Sequence, residues 1–265
     1  MKFWSVLLGF LVATNMMVPH DAQTLVYGKS GSGNFDLTAY RIGTGENVLL
    51  MTFCLHGFDD AFARDGRALT ELGQQLRVSL EGKSDWVSRQ NWSVYLVPCA
   101  NPDGLYLGSG TYGPGRCTTT SDDGKGMDLN RCFDYDFSPF SDSRNYNGTA
   151  PLQCAEARAL AKLAQDIRSS GRNVCLDIHG WYAQVLTDDG ENWLYDILHA
   201  QLPACDYKSL RAGSGYFSAW CGYELGYDAC LLELPPVVAE GDEITATYLP
   251  DALEQAVTEI LQYAS

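Results

Sequence analysis

His56 and Asp59 stand three residues apart, directly after the apolar run Val48-Leu-Leu-Met-Thr-Phe-Cys-Leu55. In a tight turn, that spacing lets an imidazole and a carboxylate converge on one cation. A second apolar run, Val174-Cys-Leu-Asp-Ile178, ends in His179-Gly180-Trp181 and repeats the design far downstream. Two ring nitrogens, one carboxylate oxygen and a fourth position left for water make up the ligand set of catalytic zinc. Taken alone, H-x-x-D more often describes a solvated turn acid beside a capping histidine. The chain has only four histidines, and two of them close apolar runs, which favours the metal. One further acid, Glu233, is flanked by Ala229-Cys-Leu-Leu and Leu-Pro-Pro236. A carboxylate in such company is rarely just solvated.

Stepping outward from these residues, the elements that must hold them alternate in type. The hairpin expected over Thr24–Arg41 precedes a first central strand, Glu46–Leu55, whose lack of polar alternation predicts burial on both faces. Leu69, Leu72, Leu76 and Leu80 recur at helical spacing within Phe62–Leu80. Trp92–Pro98 reads as a strand running into the turn signal Asn101-Pro-Asp-Gly104. From there to about Pro151 the chain is rich in Gly, Ser, Thr and Asp, and so long a loop is usually functional. Ala155–Ile167, Asn192–Leu202, Tyr216–Tyr223 and Tyr248–Tyr263 read as helices, Val174–Ile178 and Ala229–Pro235 as strands. The expected fold is α/β: a single domain with a mixed, mostly parallel central sheet flanked by helices. In such sheets ligands bind beyond the C-terminal ends of the strands, where both histidines fall.

Composition narrows the partners. The net charge of −15 argues against nucleic acid or an anionic membrane surface. Met1-Lys2 followed by the apolar run Phe3–Ala13 has the form of a signal peptide and is too short to span a bilayer. Residues 1–22 are therefore expected to be a leader and 23–265 the catalytic domain, secreted or otherwise extracytoplasmic. Nine cysteines, an odd number, leave at least one thiol unpaired in a monomer. Cys54, Cys175 and Cys230 lie in apolar strands, where a thiol is usually a small core side chain. No CxxC occurs, so a cysteine zinc site is not expected.

Seven motifs in order then carry a resemblance. They are H-x-x-D, Asn101-Pro-Asp-Gly104, Gly115-Arg116, Asp128-Leu-Asn130-Arg131, Tyr146-x-Gly148-x-x-Pro151-x-x-x-x-Glu156, Asp177-Ile-His179-Gly180 and Leu232-Glu233-Leu-Pro235. Together the set resembles the zinc carboxypeptidases related to carboxypeptidase A, and most closely the short bacterial branch acting on cell-wall peptides. The resemblance implies that His56, Asp59 and His179 hold one zinc, that Glu233 is the general base, and that Arg116 faces the oxyanion. It implies that Asn130 and Arg131 grip a terminal carboxylate, for which a guanidinium fork is well shaped. The alternative for Arg131 is a structural pairing with Asp128; Asp177 suits a supporting acid, and Asp103 suits a turn or a partner to a histidine.

Three departures accompany it. The family's glutamate ligand is replaced by Asp59, one methylene shorter, with Asp60 as the alternative in an altered turn. Where many relatives carry a tyrosine over the substrate, Arg211 stands; Tyr216 is a candidate replacement and Arg211 a candidate contact for an acidic substrate group. The side-chain pocket is expected to end near Ser218-Ala219, small and neutral. The substrate so implied is a peptide or murein peptide with γ-glutamyl or diaminopimelate units. An N-acyl amino acid amidohydrolase and a metal-free, catalytically weak binding relative are the alternatives.

Overall fold

The computed structural model describes residues 22–58, 64–107, 115–118, 126–142, 144–188, 192–236 and 247–263. The expected leader, except Ala22, and both Asp59 and Asp60 lie outside the described residues.

An antiparallel hairpin comes first, β1 (Ala22–Lys29) with β2 (Asp36–Ile42). β3 (Asn47–Phe53) follows, then α1 (Gly66–Glu81), which buries Leu69, Leu72, Leu76 and Leu80 as their spacing predicts. A short α2 (Ser84–Arg89) leads into β4 (Trp92–Val97). The Asn-Pro-Asp-Gly signal opens one turn of helix, α3 (Pro102–Tyr106), because the Asn101 side chain accepts from Gly104 N and proline occupies the first helical position. Further on come α4 (Ala155–Asp166), β5 (Asn173–His179), β6 (Gln184–Thr187) and α5 (Trp193–Gln201). β7 (Asp206–Ser209), α6 (Phe217–Tyr223), β8 (Asp228–Glu233) and α7 (Leu249–Gln262) complete the order.

All eight strands form one sheet in the order β1-β2-β4-β3-β5-β8-β6-β7. The central four, β4-β3-β5-β8, are parallel, while β2 and β6 join antiparallel on either side. Leu49, Met51, Phe53, Leu176 and Ile178 point to one core layer with α1, α5 and α7. Val48, Leu50, Cys175 and Leu231 point to the other, with α4 and α6. Burial on both faces is why these strands show no polar alternation. Chain order runs outward from β3 to β4 on one side, and from β5 to β8 on the other. The β3–β5 boundary is therefore the switch point where an open α/β sheet forms its ligand crevice.

Three elements lack a clear sequence signal: α2, β6 and β7. All nine cysteines are free thiols, and every one but Cys99 is buried. Among the described residues no helix is long and apolar enough to cross a membrane.

Candidate active site

The two histidines meet at the switch point. β3 ends where Cys54 takes a left-handed backbone conformation (φ 56°), which turns the chain and carries His56 over the end of the sheet. β5 ends at His179, and Trp181 (φ 86°) and Ala183 (φ 53°) bend the chain away again. The imidazole rings stand 4.9 Å apart between centroids, nearly edge to face at 73°.

Each ring presents Nε2 to a buried carboxylate. His56 Nε2 lies 3.2 Å from Asp128 Oδ1, and His179 Nε2 lies 3.1 Å from Asp177 Oδ2. Both contacts are short but not aligned as hydrogen bonds. Asp177 is itself fixed by Thr52, whose hydroxyl donates to Oδ1 at 2.8 Å. Carboxylates facing Nε2 favour the tautomer that leaves Nδ1 as a lone-pair donor, the usual support for a metal-binding histidine. Two such nitrogens suit a divalent cation, and among the described residues no third metal-binding side chain joins them. Asp59, the expected third ligand, lies outside those residues.

Electrostatics separate the two rings. Burial, and then the Arg116 cation, hold the His56 pKa well below its ordinary value despite Asp128. For His179, burial also opposes the charged form, but Asp177 and, to a lesser degree, Glu233 outweigh it and raise the pKa to about 9. Asp128 is buried too, which favours its neutral form, yet Arg116 and His56 hold its pKa well below the ordinary carboxylate range.

Arg116 reaches the site through a strap of backbone contacts. Gly57 N donates to Arg116 O (3.0 Å) and Phe58 N to Gly115 O (2.7 Å). The Asn101 amide donates to both Leu55 O and Arg116 O, each at 3.2 Å. A Cβ at Gly57 would lie 2.0 Å from Gly115 O, so only glycine permits this approach. The guanidinium is buried, with Nη2 2.6 Å from Asp128 Oδ2 and Nε donating to Arg144 O. Glu233 sits directly opposite His179 in the parallel register of β5 and β8, so the two side chains share one end and one face of the sheet.

His56 and Arg116 line a cleft of about 340 Å³ with Asn130, Arg131, Tyr216 and Glu233 in its wall. Asn130 Oδ1 accepts from Phe217 N (2.9 Å), which locks its orientation. Arg131 donates to Asn130 O (2.7 Å) and lies 4.4 Å over the Tyr216 ring. Tyr216 is thus a stacked wall residue at the start of α6.

Several placements differ from expectation. Arg211 is not in the cleft wall; it pairs with Asp188 (3.0 Å) and lies over Tyr223, because β7 and the turn after it aim it along the surface. Asp103 accepts from Ser32 N and Oγ (2.8 and 2.6 Å) and so anchors the β1–β2 turn. Asp128 bridges Arg116 and His56, whereas Arg131 bonds the Asn130 carbonyl. Sequence reasoning gave no role to Arg144, Gln184 and Lys208, which line the cleft.

Residues 68–201 match the family model described as zinc carboxypeptidase. The chain belongs to the zinc carboxypeptidase family. The matched stretch holds Arg116, Asn130, Arg131 and His179 of this zinc carboxypeptidase chain, while His56 and Glu233 flank it. Over 256 residues the chain is 32% identical to bacteriocin BCN5 of Clostridium perfringens, covering 94% of this chain and 27% of that protein. It spans about a quarter of that relative's length. Among solved structures, thrombin activatable fibrinolysis inhibitor superposes with a TM-score of 0.68 at 15% identity, over 93% of this chain and 71% of that one. Murein-tripeptide amidase MpaA of Escherichia coli O157 gives 0.61 at 19% identity, over 91% and 92%. Carboxypeptidase A of Helicoverpa armigera gives 0.61 at 20%, over 91% and 66%. At these identities the likeness is one of fold, the same mixed eight-stranded α/β sheet.

Proposed function

We propose that this chain is a metallopeptidase that binds about one zinc through His56, His179 and Asp59 and hydrolyses an amide bond beside a free carboxylate. The observation that carries the reading is the meeting of two imidazoles, each with its Nε2 edge on a buried acid, next to Glu233 on the adjoining strand. When bound, the metal supplies an acidified water and a Lewis acid for the scissile carbonyl. Glu233 takes a proton from the attacking water and passes it to the departing amine. Arg116, held rigid by Asp128, offers positive charge to the oxygen that gains electron density. Asn130 and Arg131 hold the substrate's terminal carboxylate, and Tyr216 supports the Arg131 guanidinium from beneath. A peptide from the cell wall, with γ-glutamyl or diaminopimelate units, is the proposed natural substrate. That choice draws on the sequence resemblance and on the amidase fold likeness. The leader-like residues 1–22 support action outside the cytoplasm.

The test is hydrolysis of C-terminal peptides and of a peptidoglycan digest, followed by mass spectrometry. Release of amino acids or stem fragments is expected. Glu233→Gln should keep its metal and lose about 100-fold or more in rate; undiminished turnover would remove Glu233 from the role of base.

A further inference from the structure

The cleft contains a cation that the peptidase chemistry leaves unused. β8, β6 and β7 lie side by side, with Gln184 opposite Glu233 and Lys208 opposite Leu186. Gln184 and Leu186 are two residues apart on one strand and so share a face. Glu233, Gln184, Leu186 and Lys208 therefore form a row across one face of the sheet, and all four line the cleft. The remaining cations of the cleft are already engaged or, in the case of Arg131, assigned to the terminal carboxylate. Arg116 is paired with Asp128, Arg131 bonds the Asn130 carbonyl, and Arg144 donates to Asn145 Oδ1 at 3.3 Å. The ammonium of Lys208 has only the Tyr182 ring, 6.0 Å away, and no carboxylate partner among the described residues. An unpaired cation in the wall of a cleft raises the local concentration of anions, even on a chain of net charge −15.

We propose that Lys208 is a specificity-determining residue that binds a second carboxylate of the substrate, on one of the two residues flanking the scissile bond. The inference rests on the peptidase reading and narrows it: the preferred substrate carries an acid in addition to the terminal carboxylate gripped by Asn130 and Arg131. Peptides containing γ-glutamyl or diaminopimelate units have such a group. Lysine on an edge strand such as β7 also discourages strand addition, but that role makes no distinction among substrates.

The experiment compares matched N-acyl peptides with Glu or Gln on either side of the scissile bond, using the zinc-loaded full chain. At one flank the Glu peptide should have a kcat/KM about tenfold higher than its Gln counterpart, mainly through KM. Lys208→Gln should bring that ratio close to one, Lys208→Arg should retain it, and Arg211→Gln, altered outside the cleft, should leave it in place. Added salt should shrink the ratio in the wild type. Hydrolysis of Glu and Gln peptides at equal rates would overturn the role of Lys208 and spare the peptidase reading. A ratio that survives Lys208→Gln would do the same. Failure to cleave any peptide would overturn both.

Discussion

Asp128 Oδ1 stands 3.2 Å from His56 Nε2 while its other oxygen holds Arg116 at 2.6 Å, so one buried carboxylate orients a proposed ligand and a proposed oxyanion donor together. Asp128→Asn should lower zinc affinity by about 10- to 100-fold in competition with a chelator, because the His56 ring loses the anion that fixes its tautomer. Affinity equal to the wild type would show that Asp128 serves Arg116 alone.

Arg116→Met removes one member of a fully buried ion pair. Breaking such a pair strands a charge and costs about 3–5 kcal/mol. For a domain of this size that corresponds to a fall in thermal midpoint on the order of 10 °C. Arg116→Met combined with Asp128→Asn should recover part of the loss, since no charge is then stranded. A double variant no more stable than the sum of the two single losses would contradict the pairing. The single variant should also lose about 100- to 1,000-fold in rate.

Glu156 gives a pH dependence remote from the cleft. Its carboxylate is buried at the start of α4 and accepts from Gly31 N at 2.7 Å. Burial raises its pKa above the ordinary 4.5, with only partial relief from that hydrogen bond. A raised carboxyl pKa means that stability is full below 4.5 and declines as pH climbs through the folded-state value. Wild type should therefore lose stability relative to Glu156→Gln as pH rises from 4.5 towards neutrality. Chemical denaturation of both proteins across that interval is the check, and a constant difference would refute it.

Much of this arrangement was legible in the sequence. His56 and His179 terminate strands whose unbroken apolar runs admit only double-sided burial, and Glu233 lies in a third such strand. These signals are local, and the parallel sheet follows from their alternation with helices. Lys208 escaped because β7 is four residues long and polar, an edge strand with no core face to pattern it. Arg131, the alternative partner for Asp128, is nearby in sequence, while the acid's contacts to Arg116 and His56 form only when the long loop folds over the end of β3. The resemblance points to Arg211, but it cannot reveal that a short edge strand puts Lys208 in the cleft wall and Arg211 outside it. Asn101 reads as a turn residue, and it is one; its second task, tying Leu55 and Arg116 together, depends on a loop that approaches only in the folded chain.

Elemental analysis of the purified full chain, after dialysis against trace zinc, bears most directly on the whole account. About one zinc per chain is expected, falling to a small fraction in His179→Ala and in His56→Ala, with circular dichroism confirming that both variants remain folded. A wild-type chain that takes up no zinc, or histidine variants that bind it as well as wild type, would contradict a metal centre at the junction of β3 and β5.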